Sequence, residues 1–344
     1  MGIMEIYQAG VNLGGWISQY SKLEHEHFKS FITKKDIEQI ASWGMDHVRI
    51  PFDYPVVEDD EKPYEYKEEG FLYIDNCISW CKEYGLNIVL DMHKAPGYSF
   101  GTLESNTLFS DERMQDRFIK LWQFIAKRYI NERDNVIFEL LNEVVDSNSD
   151  RWNKLAQKTV EAIREIDKDR YIIIGGNNYN SVYELKNINI LDDDKIIYNF
   201  HFYEPFLFTH QKASWTEMTR LLNQEQHYPG RYVGIKEFAE KYPKYAHLKE
   251  IENQIMDINL LKKHLEPAVE FMKSTNKPLY CGEYGAIDHA PLQSRINWHK
   301  DIVELLKELK IGRACWSYKS MNFALVDKDS KVVSEELIKI VSNK

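Results

Sequence analysis

Short apolar runs alternate with longer amphipathic stretches along this chain. The runs Ala9–Gly14, His47–Pro51, Asn87–His93, Val136–Glu143, Tyr171–Gly175, Ile196–His201, Leu279–Glu283 and Gly312–Tyr318 are almost continuously apolar. That is the pattern of parallel strands buried on both faces. Between them, apolar positions recur at helical spacing over Thr33–Trp43, Phe71–Tyr84, Asp111–Tyr129, Asp150–Ile166, Leu261–Lys273, Leu292–Leu309 and Glu335–Val341, with a short fifth segment around Ser181–Leu185. Thr33 suits an N-cap, and Gly44 and Gly85 follow the first two helical stretches as stops. Eight such units predict an α/β fold, a (β/α)₈ barrel in which residues 1–344 form one catalytic domain. In a barrel of this kind the C-terminal strand ends converge on one mouth.

One stretch breaks the rhythm. Residues 204–260 separate the sixth strand from the sixth helix, far more than the usual two to six or so residues. This stretch carries Phe206, Phe208, Trp215, Tyr228, Tyr232, Phe238, Tyr242 and Tyr245, with turn signals at Pro229-Gly230 and Tyr242-Pro243. It reads as an inserted subdomain rising from the mouth and walling one end of a cleft; the plainer reading is that its aromatics form only its own small core.

Composition narrows the partners. A net charge of −10 argues against nucleic acid and anionic membrane. No segment reaches the roughly 20 apolar residues of a membrane span. The first residues lack the basic and apolar regions of a signal peptide. Four cysteines give no disulfide framework and read as reduced, buried thiols. A cytoplasmic monomer is therefore expected, or a secreted one if a leader has been lost.

The strand ends hold the chemistry. The second gives Arg49, the third Asp91 and His93, the fourth Asn142 and Glu143. The sixth gives His201 and Tyr203, the seventh Glu283 and the eighth Trp316. Glu143 and Glu283 each close an apolar run, where a carboxylate is costly unless hydrogen-bonded or chemically employed. Two carboxylates facing each other across a substrate are what glycoside hydrolysis needs. About 5–5.5 Å between them suits a nucleophile and a proton donor acting with retention of configuration.

These residues lie in the motifs Gly10-Val-Asn-Leu-Gly-Gly-Trp16, His47-Val-Arg-Ile-Pro51, Leu90-Asp-Met-His93, Phe138-Glu-Leu-Leu-Asn-Glu143, Gly175-Gly-Asn-Asn-Tyr-Asn180, Asn199-Phe-His-Phe-Tyr203 and Tyr280-Cys-Gly-Glu-Tyr-Gly285. Their order and number resemble glycoside hydrolase family 5, the cellulase-type barrels of clan A. The resemblance implies Glu143 as general acid/base and Glu283 as nucleophile. It places Asn142 on the sugar 2-hydroxyl, Arg49 and Tyr203 beside Glu283, His93 and His201 around the reacting sugar, and Trp316 beneath it. Trp16 and Trp215 join the candidate sugar contacts, although Trp16 could equally plug the barrel top. Lys94 departs from the His-His often found after the third strand of the family, which leaves its contact with substrate or Glu143 open.

Other residues invite blander readings. Glu139 and Asp91 should point into a lower barrel layer and serve structure. Trp43, Trp80, Trp122 and Trp298 sit in helical patterns and read as packing. No metal is expected, because closely spaced carboxylate–histidine clusters are missing from the strand ends. His25-Glu26-His27 lies in a polar stretch and reads as surface. Gly175-Gly176 is a turn without the following lysine of a phosphate loop, and no cofactor is implied. The resemblance implies a retaining endo-β-1,4-glucanase acting on soluble cellulosic or mixed-linkage β-glucan. A β-1,4-mannanase or dual enzyme is the alternative within the family, and a non-catalytic carbohydrate-binding protein the alternative outside enzymes.

Overall fold

The computed structural model describes residues 2–133 and 135–344. Eight parallel strands close a barrel: β1 Ala9–Asn12, β2 His47–Asp53, β3 Asn87–Lys94, β4 Val136–Glu139, β5 Ile172–Gly175, β6 Ile196–Phe202, β7 Leu279–Tyr284 and β8 Gly312–Cys315. Chain order is ring order, with β8 pairing back onto β1. Helices Lys34–Ser42, Glu68–Tyr84, Glu112–Arg128, Ser149–Arg164, Ile258–Thr275, Leu292–Glu308 and Glu335–Val341 surround it. The weak fifth segment is a 3-10 turn, Val182–Asn187.

The two-residue period of a strand sorts the barrel interior into layers. Tyr7, Val89, Ile137, Ile173, Ile197, Tyr280 and Ala314 form an apolar plug inside the barrel. Two residues further along their strands come Asp91, Glu139 and Asn199, and beyond Asp91 and Asn199 come His93 and His201. An apolar floor, a charged middle and a polar mouth thus follow from residue parity. The other face of the same strands packs against the helices in one large apolar core that holds Ile50, Leu90, Phe138 and Phe200.

Three strands end earlier than their apolar runs suggest; β1 stops at Asn12, although Leu13 N still donates to Arg49 O (2.9 Å). β4 stops at Glu139, but the chain beyond it keeps bonding to both neighbours: Leu140 N donates to Ile173 O (3.1 Å) and Asn142 N to Met92 O (3.0 Å). Glu143 therefore still arrives at the mouth. β8 stops at Cys315, and Trp316 N donates to Tyr284 O (2.9 Å) to hold the next residue in place. Helix His25–Phe31 and the small ladder of Glu58–Asp59 with Lys62–Tyr66 escape the sequence pattern because their polar residues give no apolar period.

Between β6 and helix Ile258–Thr275, the chain forms short helices at Phe206–Thr209, Glu217–Leu222 and Ile235–Lys241, a 3-10 segment Pro243–Ile251, and a two-stranded ladder of Gly230–Arg231 with Ile255–Met256. Leu207, Leu222, Ile235, Phe238 and Leu248 gather into a separate small cluster. Among the described residues, no helix is long and apolar enough to cross a membrane. All four cysteines are buried free thiols.

Candidate active site

Arg49, fully buried on β2, organises the middle of the barrel. Its guanidinium spends five donor contacts: Nε to Glu139 (2.7 Å), Nη1 to Asn12 (2.9 Å) and Glu283 (2.8 Å), Nη2 to Glu139 (2.8 Å) and Asn142 (2.8 Å). Asp91 also pairs with Nη2 at 3.1 Å. Burial opposes the charge on Arg49, but Asp91, Glu139 and Glu283 outweigh it and hold the guanidinium firmly protonated. Burial pushes Asp91 up to about 7 against the pull of Arg49. Glu139 reaches about 7 for the same reason, although it also accepts from Asn199 Nδ2 (2.8 Å). Both carboxylates face side chains inside the barrel, as their parity predicted.

Glu283 reaches the mouth through a register shift in β7 between Cys281 and Glu283. Gly282 permits it. A Cβ there would meet the Asn199 amide at 2.8 Å and His201 Nε2 at 3.2 Å. Asn199 Oδ1 accepts from Gly282 N (2.9 Å) and Asn12 Nδ2 donates to Gly282 O (3.0 Å), so both backbone groups at the shift are satisfied. Glu283 then accepts from Arg49 on one oxygen and from Tyr203 Oη on the other, each at 2.8 Å. Burial raises its pKa, and Arg49, His93 and Tyr203 pull it back.

Glu143 lacks such partners. Burial lifts its carboxyl well above the usual range, and the charge of Glu283 adds to the lift. Its Oε1 lies 2.9 Å from His201 Nδ1, which is 3.6 Å from Glu283 Oε2. Burial, with Arg49 and His93, keeps His201 neutral. In this shared site burial lifts both carboxyls, Glu143 the further of the two, because Arg49 and Tyr203 face Glu283. The backbone of Glu143 is pinned by Tyr98, whose Oη donates to Glu143 O (2.6 Å).

A cleft of about 990 Å³ opens over this pair, lined by His93, Asn142, Tyr203 and Trp316 as well as the glutamates. His93 Nδ1 lies 2.7 Å from Asp91, and its ring stacks on Trp316 with centroids 5.9 Å apart and planes 4° from parallel. His93 Nε2 and Asn142 Nδ2 are buried without a protein partner. Buried polar atoms are seldom left so, and these two are free for a ligand hydroxyl.

The fold brings together Arg49, His93, Asn142, Glu143, His201, Tyr203, Glu283 and Trp316, and Trp215 lines the same cleft at 54% exposure. Trp16 is a correction. It is buried in the large apolar core, its Nε1 donates to Phe28 O (2.7 Å), and it is not among the residues that line the cleft. Lys94 turns aside to Asp53 (3.3 Å). Trp122 and Trp298 are fully buried, and Trp43 and Trp80 pack against the core. In the His25–His27 stretch, His25 meets Tyr73 Oη (2.7 Å) and His27 meets Gly15 O (2.8 Å).

A carboxylate–histidine cluster, expected to be missing, is present. Glu143, His201 and Glu283 each bring a donor atom within 4.8 Å of the others. Sequence separation hid it, because the three residues come from different βα units. Sequence reasoning also passed over Asn178, Tyr179, Glu204 and Phe323, all of which line the cleft. The left-handed conformations of Asn178 and Tyr179 leave no glycine to mark the turn.

Residues 7–322 match the family described as Cellulase (glycosyl hydrolase family 5). Endoglucanase C of Acetivibrio thermocellus is 54% identical over 341 residues, 99% of each chain. Cellodextrinase A of Ruminococcus flavefaciens is 36% identical over 310 residues, 89% of this chain and 84% of that protein. Among solved structures, endoglucanase Cel5A from Thermotoga maritima superposes with a TM-score of 0.78 at 26% identity, covering 98% of this chain and 97% of that one. The same enzyme is described in complex with mannotriose (TM-score 0.78) and with cellobiose (TM-score 0.77).

Proposed function

The chain belongs to glycosyl hydrolase family 5, the cellulases, and we propose that it works as a retaining endo-β-1,4-glucanase on soluble β-glucans, with Glu143 as acid/base and Glu283 as nucleophile. The observation that carries this reading is the spacing of the pair. One oxygen of each carboxylate lies within 4.8 Å of the other, a close approach that favours direct attack on the anomeric carbon over the wider spacing of an inverting enzyme.

In the first displacement Glu283, ionised beside Arg49 and Tyr203, attacks the anomeric carbon. Glu143 gives its proton to the departing glycosidic oxygen. The bond between the sugar and Glu283 removes the negative charge that held Glu143 protonated, so the pKa of Glu143 falls. Glu143 then takes a proton from water as it attacks, and Glu283 leaves as a carboxylate. Asn142 Nδ2 donates to the sugar 2-hydroxyl, a bond that strengthens as positive charge builds on the ring. Trp316 supports the reacting sugar from below, and residues 204–257 wall the cleft through Trp215.

Mannan cleavage is the second reading, favoured by the mannotriose complex described for Thermotoga maritima Cel5A. Reducing-sugar release from carboxymethylcellulose, lichenan and glucomannan, followed by NMR of the first anomer formed, tests both. Release from the first two with the β-anomer appearing first supports the retaining glucanase. No release from any β-glucan or β-mannan removes the hydrolase reading, and α-anomer first removes retention.

A further inference from the structure

Given the cleft as the substrate site, we propose that Glu204 selects chains by charge: its carboxylate disfavours β-glucans that carry anionic substituents and favours those that carry cationic ones. The composition of the cleft wall is the first ground. Three carboxyls line it, those of Glu143, Glu204 and Glu283, and no lysine or arginine stands among the lining residues. Glu143 and Glu283 are spent on the reaction. Glu204, two residues beyond the end of β6, has no part in it.

The partners of Glu204 are the second ground. Its Oε2 accepts from Phe206 N (3.2 Å), and Trp298 Nε1 donates to its backbone oxygen (3.0 Å), so both ends of the residue are held. Several enclosed carboxylates of this protein meet a cation. Glu139 and Glu283 bind Arg49 (2.7 and 2.8 Å), Glu58 binds Arg117 (3.3 Å) and Asp53 binds Lys94 (3.3 Å). Glu204 has no such partner among the described residues, and the side chains that feel its charge include the phenols Tyr183 and Tyr232. Burial pushes its carboxyl above the ordinary glutamate range, and the Phe206 N–H pulls it back.

An enclosed charge without a counter-ion is costly. A cation on the bound chain relieves that cost and draws the carboxyl toward its ionised form. An anionic substituent adds to the cost, and a neutral chain does neither. The selection is local, since it acts through one side chain within the cleft.

The test uses three polymers with one backbone: hydroxyethylcellulose, its quaternary-ammonium derivative and carboxymethylcellulose. Glu204→Gln, whose amide oxygen can still accept from Phe206 N, and Glu204→Ala both remove the charge, while Glu204→Asp keeps it. The control is Glu308→Gln, which changes the net charge equally. Glu308 is exposed at the end of helix Leu292–Glu308, which runs back from β7 to the start of β8, away from the mouth. At low salt both charge-free variants should raise kcat/KM on carboxymethylcellulose roughly three- to tenfold relative to hydroxyethylcellulose. They should lower it on the quaternary-ammonium polymer by a similar factor. The change should lie in KM, because a substituent away from the reacting bond acts on binding. Glu204→Asp and Glu308→Gln should keep the parent's ratios. Unchanged ratios in both charge-free variants, or an equal shift in Glu308→Gln, would overturn the selection while leaving the hydrolase reading intact. A parent protein that cleaves none of the three polymers defeats the glucanase reading instead.

Discussion

Glu143 and Glu283 differ in what touches them, and the roles proposed for them rest on that difference. Replacing Glu283 with Ala should cut turnover on soluble β-glucan by several orders of magnitude with folding intact, as read by kcat and thermal melting. Glu143→Ala should be slow on natural substrate but partly rescued by azide on an activated aryl glycoside, with glycosyl azide as product; no rescue would remove Glu143 as acid/base. Tyr203→Phe removes one of the two side-chain hydrogen bonds to the Glu283 carboxylate. The pKa of Glu283 should then rise further above its ordinary value. Activity needs the ionised form, so the acidic limb of the kcat/KM profile should move to higher pH, and the plateau should drop about tenfold. An unmoved acidic limb would separate Tyr203 from the nucleophile.

Helix Lys34–Ser42 is tied to the segment after β8 through Asp36. Its oxygens accept from Thr33 N and Oγ1 (2.8 Å each), Tyr318 Oη (2.7 Å), Lys319 Nζ (3.1 Å) and Ser330 Oγ (2.7 Å). Burial opposes the charge, but the hydrogen bonds from Ser330, Tyr318 and Thr33 hold the Asp36 pKa below its ordinary value. A depressed carboxylate stabilises the fold above its unfolded pKa, and that stability is lost as pH falls through the folded one. Asp36→Asn should cost about 2–4 kcal/mol in urea unfolding at neutral pH. The gap from the parent should close below the ordinary carboxylate range, about 4. The sequence made the barrel legible because eight apolar runs carried their own periodicity. It left Trp16 open between sugar contact and packing, since a tryptophan after a strand looks the same whether it faces sugar or the Phe28 carbonyl. It overlooked Tyr179 because the turn that presents it depends on bonds to Val144 and Asp146, some 30 residues away.

At the scale of the whole molecule, the net charge of −10 should make anionic polymers poorer substrates than neutral ones at low salt. The Debye length shrinks from about 30 Å at 0.01 M to about 10 Å at 0.1 M. The ratio of kcat/KM on carboxymethylcellulose to that on lichenan should therefore rise with added salt across that range. A flat ratio would show that charge on the polymer is not felt at the cleft.

The five donors of Arg49 also bear on how a protein of this kind diversifies. Five side chains from four separate stretches of chain, Asn12, Asp91, Glu139 with Asn142, and Glu283, meet at one guanidinium with no N–H left over. Lysine, with three donors, cannot satisfy them. A single substitution there would disturb folding and chemistry together, so descent with altered preference has little room at the centre. It has ample room at the rim, where Tyr179, Trp215 and the 204–257 segment can change without touching Arg49. New diets should be acquired by rewriting loops around an inherited charge.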